Sequence, residues 1–307
     1  MSETQELEFK GRKVTVTNTD KVFYPESGFT KGQMIDYYLR IAPVLLPHLK
    51  GRAVSLKRYP DGVEGFFFYE KQCPQHAPKW LKTTPVKRSD GEIIDYCLLN
   101  DTASLAWAAN IANLELHPFL HQAKAPTRPK FLVFDLDPGP PADVLDCCRV
   151  AVWIRDLFAA LDLRSFIKTS GSKGLQLVVP LNTPVTYAKT KAFAHTVADT
   201  LADRFPDKVV SDMKKSLRTG KVLIDWSQND DSKTTVCVYS LRAKTEPTVS
   251  TPVTWDEIER ALKRRRRDLL IFRTEDVLKR VEKLGDLFEP ILTLKQKLPT
   301  VDSLAGD

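Results

Sequence analysis

Asp135 and Asp137 close an apolar run, Phe131-Leu132-Val133-Phe134-Asp135-Leu136-Asp137, which Pro138-Gly139 then stops. On a β-strand alternate side chains share a face, so the two carboxylates point the same way. Carboxylates side by side repel unless positive charge sits between them. Hard divalent cations, magnesium or manganese, prefer oxygen ligands and suit that place. Asp before Pro-Gly is also ordinary turn chemistry, so the pair alone leaves a plain strand exit open. A third acid ends a second apolar run, Val222-Leu223-Ile224-Asp225-Trp226. If the two strands are neighbours, Asp225 converges on the pair. Three carboxylates suit two divalent ions, the arrangement that aligns an attacking oxygen and a leaving group in phosphoryl transfer.

Other segments carry phosphate chemistry. In Thr169-Ser170-Gly171-Ser172-Lys173-Gly174-Leu175-Gln176-Leu177 the glycines permit close backbone approach to a ligand. Ser170, Ser172 and backbone N–H groups can donate to phosphate oxygens, and Lys173 adds charge. The spacing is not that of a Walker loop, and a Gly-Ser hairpin turn reads equally well. Tyr239-Ser240-Leu241-Arg242 offers a strand-borne arginine whose planar fork fits a phosphate, with a surface ion pair as the plainer reading. His117 and His121 stand four apart, but Pro118 argues against a helical zinc pair. Lys263 to Arg267 reads as a solvated helix face that also permits nucleic-acid contact. Phe66-Phe67-Phe68-Tyr69 reads most simply as a buried strand, with base stacking as the alternative.

The elements that must position these residues are an alternation of helices and strands. The chain has 307 residues, enough for one large domain or two modest ones, and a net charge of +7, which favours a polyanionic partner. Five cysteines without a Cys-x-x-Cys pair fit a reducing compartment and no zinc ribbon. The polar N-terminus is no signal peptide, and no run is long and apolar enough to span a bilayer, so a soluble, cytoplasmic protein is expected. After a short tail, a strand is expected over 13–17. A helix then opens with the Thr30/Gln33 capping box, and Pro43 and Pro47 kink or end it. Strands follow over 52–58, 66–69 and 93–99, with a turn at Pro60-Asp61-Gly62 and a helix over 102–114. The proline- and lysine-rich stretch 123–130 marks a module boundary. Beyond it are expected strand 131–137, helix 142–161, strands 163–169 and 175–180, helix 187–204, and strands 221–226 and 234–241. Helices near 255–270, opened by Thr254 with Glu257, and 274–284 close an α+β chain, with a strap from Pro290 over the core.

In order along the chain, seven segments resemble the polymerase domain of bacterial ligase D, a branch of the archaeo-eukaryotic primase superfamily. They are Thr17 to Pro25, Gly51 to Gly62, Glu115-Leu116-His117-Pro118, Phe134 to Pro138, Ser170 to Leu175, Asp225 to Asn229, and Tyr239 to Arg242. The similarity runs from about Val14 to about Leu294. It implies a primase-like core of two packed sheets flanked by helices. That core is a single catalytic domain, with an N-terminal module over about 1–125, a C-terminal module over about 126–290 and a tail over 291–307. It further implies that Asp135, Asp137 and Asp225 are catalytic and hold two divalent ions, manganese favoured over magnesium. Ser170, Ser172 and Lys173 then lie against the sugar and triphosphate of a nucleoside triphosphate, ribonucleotides preferred, with Ser170 at the 2′-hydroxyl. Arg242 contacts the phosphates and His117 lines the nucleotide pocket. Asn18, Lys21 and Lys31 match a pocket for the 5′-phosphate at a DNA break or gap. Phe68 and Tyr69 match rings that stack on the DNA beside it, and Arg218 a loop that contacts template and nucleotide.

One position departs from the family. Gln176 stands where a triphosphate-binding histidine is usual. Glutamine can donate the same hydrogen bond but cannot become cationic. The resemblance implies a DNA-repair nucleotidyltransferase that acts at double-strand breaks and gaps in non-homologous end joining, with Ku and a DNA ligase, in cis or trans, as partners. The alternative is a DNA end-binding or synapsis module with weak catalysis, which Gln176 motivates. A metal-dependent glycosyltransferase also uses Asp-x-Asp, but leaves the basic charge and the Asn18, Lys21, Lys31 set without a purpose.

Overall fold

The computed structural model describes residues 4–88 and 90–304. The last three residues of the expected tail lie outside that range. The chain divides into two compact units, each with its own sheet. The first takes the described residues up to Phe119, with Thr234–Ser250 and Phe272–Asp286 returning to it. The second takes Leu120–Lys233, Thr251–Ile271 and the chain from Leu287 onward. No helix among the described residues is long and apolar enough to cross a membrane.

In the first unit, residues expected to be a tail form strand β1 (Thr4–Phe9), a hairpin with β2 (Arg12–Thr17). Lys10 and Gly11 take the positive φ values, 49° and 77°, that such a tight turn requires. Two short strands follow, β3 (Val22–Tyr24) and β4 (Phe29–Thr30), and then α1 (Lys31–Leu49). Thr30 and Gln33 form the reciprocal capping box. The two prolines do not end α1. Its buried face of Met34, Ile35, Tyr38, Ile41 and Leu45 continues through both of them to Leu49. Burial of that stripe outweighs the backbone hydrogen bonds that Pro43 and Pro47 cannot donate.

The sheet of this unit is built around β5 (Ala53–Arg58). One edge pairs with β6 (Phe68–Glu70) and, at its start, with β8 (Ile93–Leu98). β8 in turn pairs with β7 (Lys82–Lys87). The expected helix 102–114 is shorter: α2 (Thr102–Asn110) stops, Ala112 takes φ 65°, and the chain becomes β9 (Asn113–Pro118) on β5. The helical reading of 111–114 failed because alanine does not announce a left-handed turn. The expected strand 234–241 is not regular either. Thr235 and Cys237 donate to Pro118 and Leu116 of β9, but Tyr239 turns at φ 64° and ends the run. The helix Thr274–Leu284 closes the unit.

The second unit has a six-stranded sheet. Its strands are β10 (Phe131–Pro138), β11 (Phe166–Thr169), β12 (Leu175–Pro180), β13 (Val209–Val210), β14 (Val222–Asp225) and β15 (Pro252–Val253), in the order β13-β14-β10-β12-β11-β15. All neighbours are antiparallel except β13 and β14. Helices α3 (Val144–Ala160) and α4 (Tyr187–Arg204) cover one face. There Phe134 of β10 packs on Phe158 of α3, with centroids 5.5 Å apart, and Phe158 stacks on Phe193 of α4. Helix α5 (Trp255–Arg264) starts at the Thr254/Glu257 capping box as expected. Pro290–Thr293 is a short helix, not part of an extended strap. Beyond it Gln296 clamps the chain by bonding the backbone of Leu181, Arg164 and Pro180.

Candidate functional site

Because Phe134 faces the helices, Asp135 and Asp137 face the other way. Register builds a row across four strands: Lys168 of β11 opposes Gln176 of β12, Gln176 opposes Asp135 of β10, and Asp135 opposes Asp225 of β14. Directly opposed residues share a face, so one lysine, one amide and two acids lie side by side, with Asp137 two residues along β10. Burial, and next the negative charge of Asp137, push the Asp135 carboxyl up to about 7. A hydrogen bond from Gln176 and the charge of Lys168 oppose that rise. Burial is the main cause of the rise, and a cation bound beside the carboxylate would reverse it.

The three acids are brought onto one face but not into a finished cage. Asp225 Oδ1 accepts from the Ser227 backbone at 2.9 Å and its hydroxyl at 2.6 Å, and Oδ2 accepts from Gln228 at 2.9 Å. Asp225 thus caps the turn that follows β14. Among the described residues no three acidic, histidine or cysteine side chains are drawn together as a metal cluster. The donor set nevertheless fits a hard cation, with carboxylate oxygens on one face of the sheet.

The loop from Ser170 to Gly174 sits beside this row. The Ser170 Oγ accepts from the backbones of Ser172 and Gly174, both at 3.2 Å, and the Ser170 N–H donates to Gly174 at 2.9 Å. Ser170 is buried and shapes the loop, while Ser172 and Lys173 are exposed at its tip. A Cβ on Gly174 would lie 1.9 Å from the Leu136 carbonyl, so only glycine lets the loop meet β10 this closely. Arg218 belongs to another loop docked on the exit of β10. Its guanidinium donates to Met213, and its backbone carbonyl lies where a Cβ on Gly139 would be, 1.9 Å away.

His117 and Arg242 belong to the first unit, and the structure groups them around Glu115. Tyr69, Lys57 and Glu115 are opposed in turn across β6, β5 and β9, and His117 is two residues beyond Glu115. Glu115 Oε2 lies 2.9 Å from His117 Nε2 and 3.6 Å from Lys57 Nζ, while Oε1 lies 3.4 Å from Arg242 Nε. Arg242 follows a turn, not a strand. The Tyr24 hydroxyl donates to the Arg242 carbonyl, Tyr37 to the Tyr239 carbonyl, and Tyr38 accepts from the Leu241 amide. Ser240 accepts from Leu116 and so ties that turn to β9.

Asn18, Lys21 and Lys31 are brought together at the start of α1. Lys21 donates its backbone N–H to Asn18, and Lys31 donates to Lys21. The Lys31 ammonium is buried against the Thr17 carbonyl, at 2.6 Å, and Asn110, at 2.9 Å. Burial, then the charge of Lys21, lower its pKa to about 8. Lys21 pairs with exposed Asp61 at 2.8 Å. The aromatic run 66–69 is not the buried strand expected. Phe66 is 73% exposed, Phe67 47% and Tyr69 50%, with Phe68 stacked on Phe66. Lys57 sits over the rings of Phe67 and Tyr69, at 4.7 and 5.4 Å. A hollow of about 760 Å³ beside them is lined by Phe68, Tyr69, Lys71 and Arg88 among others.

Lys168, Lys57 and Glu115 escaped the reading of the sequence as site residues. The alternation in Phe166-Ile167-Lys168-Thr169 marks Lys168 as facing opposite to Ile167. Its importance comes only from register with Gln176.

Residues 30–288 match the family described as LigD, primase-polymerase domain. The chain belongs to that family. It is 42% identical over 300 residues to the multifunctional non-homologous end joining protein LigD of Mycolicibacterium smegmatis, a match that covers 95% of this chain and 38% of that protein. To the bifunctional LigD of Bacillus subtilis it is 31% identical over 275 residues, covering 89% of this chain and 43% of that one. This family member therefore spans well under half the length of these relatives. A solved structure, the polymerase domain from Mycobacterium tuberculosis ligase D in complex with DNA, superposes with a TM-score of 0.83 at 40% identity, covering 91% of this chain and 98% of that one. The α+β architecture is that of a LigD polymerase domain.

Proposed function

We propose that this chain adds nucleotides, preferably ribonucleotides, to DNA 3′ ends at double-strand breaks and gaps during non-homologous end joining. The observation that carries this reading is the row Lys168, Gln176, Asp135, Asp225 on the sheet face opposite Phe134, in a chain of the LigD primase-polymerase family. Asp135, Asp137 and Asp225 would hold divalent manganese or magnesium, two ions per site. The bound ions would supply Lewis-acid activation of the primer 3′-hydroxyl and neutralise charge on the α-phosphate.

The chain's own groups do the rest. Gln176 donates to Asp135 and fixes the orientation of its carboxylate, and it is proposed to take the triphosphate contact in place of the family histidine. The charge of Lys168 favours ionised Asp135. Ser170 builds the loop whose tip, Ser172 and Lys173, meets the triphosphate, and is proposed to meet the 2′-hydroxyl. His117 and Arg242 are proposed nucleotide contacts, and Arg218 a template-loop contact. Asn18, Lys21 and Lys31 are proposed to take the 5′-phosphate, with Lys21 exchanging Asp61 for it. Phe68 and Tyr69 stack on the adjoining DNA. Ku and a DNA ligase, in cis or trans, are the proposed partners, in a cytoplasmic, nucleoid-associated setting.

The engaged carboxylate of Asp225 favours a second reading, an end-binding or synapsis module with weak catalysis. Primer extension with manganese on a gapped duplex bearing a 5′-phosphate separates the two. Ribonucleotide-containing product supports polymerase action. Tight binding without product supports the module and overturns the first reading.

A further inference from the structure

Glu115 is 1% exposed, and a carboxylate so deeply buried is costly unless paired. It is paired on every side: with His117 at 2.9 Å, Lys57 at 3.6 Å, Arg242 at 3.4 Å and the Ala243 backbone N–H at 3.0 Å. These partners come from β9, from β5 opposite it, and from the turn that the tyrosine hydroxyls pin. Three cationic or protonatable side chains packed together repel one another, and one central anion is what lets them stay. We propose that Glu115 is a positioning residue of the nucleotide site: it holds Arg242, Lys57 and His117 as one anion-receiving cluster and fixes which nitrogen of His117 carries the proton. This rests on the reading of the chain as a nucleotidyltransferase, although the proton placement stands without it.

The placement follows from acceptor chemistry. The neighbouring cations and the bond to His117 hold the Glu115 carboxyl far below the usual carboxylate range against the opposing effect of burial. An ionised carboxylate only accepts, so His117 Nε2 must donate, and the Nδ1 edge is the one left to meet a ligand. The groups that face the ring are Glu115, Lys57, Arg242 and the edge-on Tyr69. Burial lowers the His117 pKa, and Glu115 offsets that fall. A merely structural carboxylate would make the same contacts but would not govern both the tautomer and nucleotide affinity.

The test has two arms on the full chain. In the first, nitrogen-detected NMR of the wild-type protein reads the His117 tautomer. A proton on Nε2 is expected, and a neutral ring protonated on Nδ1 overturns the proposal without any variant. In the second, Glu115→Gln keeps shape and an acceptor for Ala243 but removes the charge. The KM for ATP should rise about tenfold or more, kcat should change far less, and the His117 pKa should fall, while affinity for a 5′-phosphorylated gapped duplex holds. An unchanged KM and an unchanged His117 titration overturn the proposal. If wild-type protein binds no ATP at all, the nucleotidyltransferase reading fails, and the tautomer arm still decides the role of Glu115 at His117.

Discussion

Asn229 should be among the most costly polar residues to remove from the second unit. Its side chain is fully buried. Oδ1 accepts from the Val133 N–H at 2.9 Å, and Nδ2 donates to the Val133 carbonyl at 2.7 Å and the Trp226 carbonyl at 2.9 Å. The reason lies in the register: β12 flanks Val133 on one edge, but β14 pairs with β10 only from Asp135 onward, so the other edge of Val133 has no strand. The amide of Asn229 completes the ladder and joins β10 to the turn that holds Asp225. Asn229→Ala deletes three hydrogen bonds and strands buried backbone groups, each worth about 1 kcal/mol net and up to about 3 when left unsatisfied. A loss of about 3–5 kcal/mol follows, which in a domain of this size lowers the thermal midpoint by on the order of 10 °C. Asn229→Asp should do no better, because it sets a carboxylate oxygen against two carbonyls. Calorimetry, with Trp226 fluorescence to follow the turn, checks this. A midpoint within about 2 °C of wild type for the alanine variant would refute the reasoning.

Gly174→Ala drives a methyl into the Leu136 carbonyl, so soluble yield or thermal midpoint should collapse, whereas Gly91→Ala, with open space around it, should cost only the strain of its positive φ. Lys31 titrates at about 8, below the usual lysine range, because of burial and Lys21. Its folded pKa is depressed, so the unfolded chain binds the extra proton between about 8 and 10.4, and this group adds stability as pH rises through that window. The preference for a 5′-phosphate over a 5′-hydroxyl end should fall from pH 7 to 9 as Lys31 loses its charge. A flat anisotropy ratio would contradict this. Tyr69→Ala should weaken binding to a gapped duplex by roughly 1–3 kcal/mol, about 5- to 150-fold, with little change in thermal midpoint because the ring is half exposed.

Local chemistry made much of the fold legible. The capping boxes at Thr30 and Thr254 marked two helix starts, and the apolar run before Asp135 marked the central strand with its acids on one face. What stayed hidden depends on tertiary contacts. Asn113 and Leu114, the start of β9, fell within the expected helix because the left-handed turn at Ala112 has no residue signature. The irregular course of 234–241 is set by tyrosine hydroxyls from α1 and β3, far away in sequence. The exposure of Phe66 and Phe67 contradicts their hydrophobicity, which is why a buried strand was the natural reading. Within the candidate site the acids and the Gly-Ser loop were readable from type and spacing. Lys168 and Glu115 were not, since their partners are assigned by strand register and not by any motif.

Single-turnover extension of a primer on a 5′-phosphorylated gapped duplex with manganese and ATP, run for wild type and Asp137→Ala, tests the central claim most directly. The account predicts product from wild type and none from the variant, with both proteins binding the duplex equally. Equal product from the two would contradict the assignment of Asp135 and Asp137 as the centre of nucleotidyl transfer.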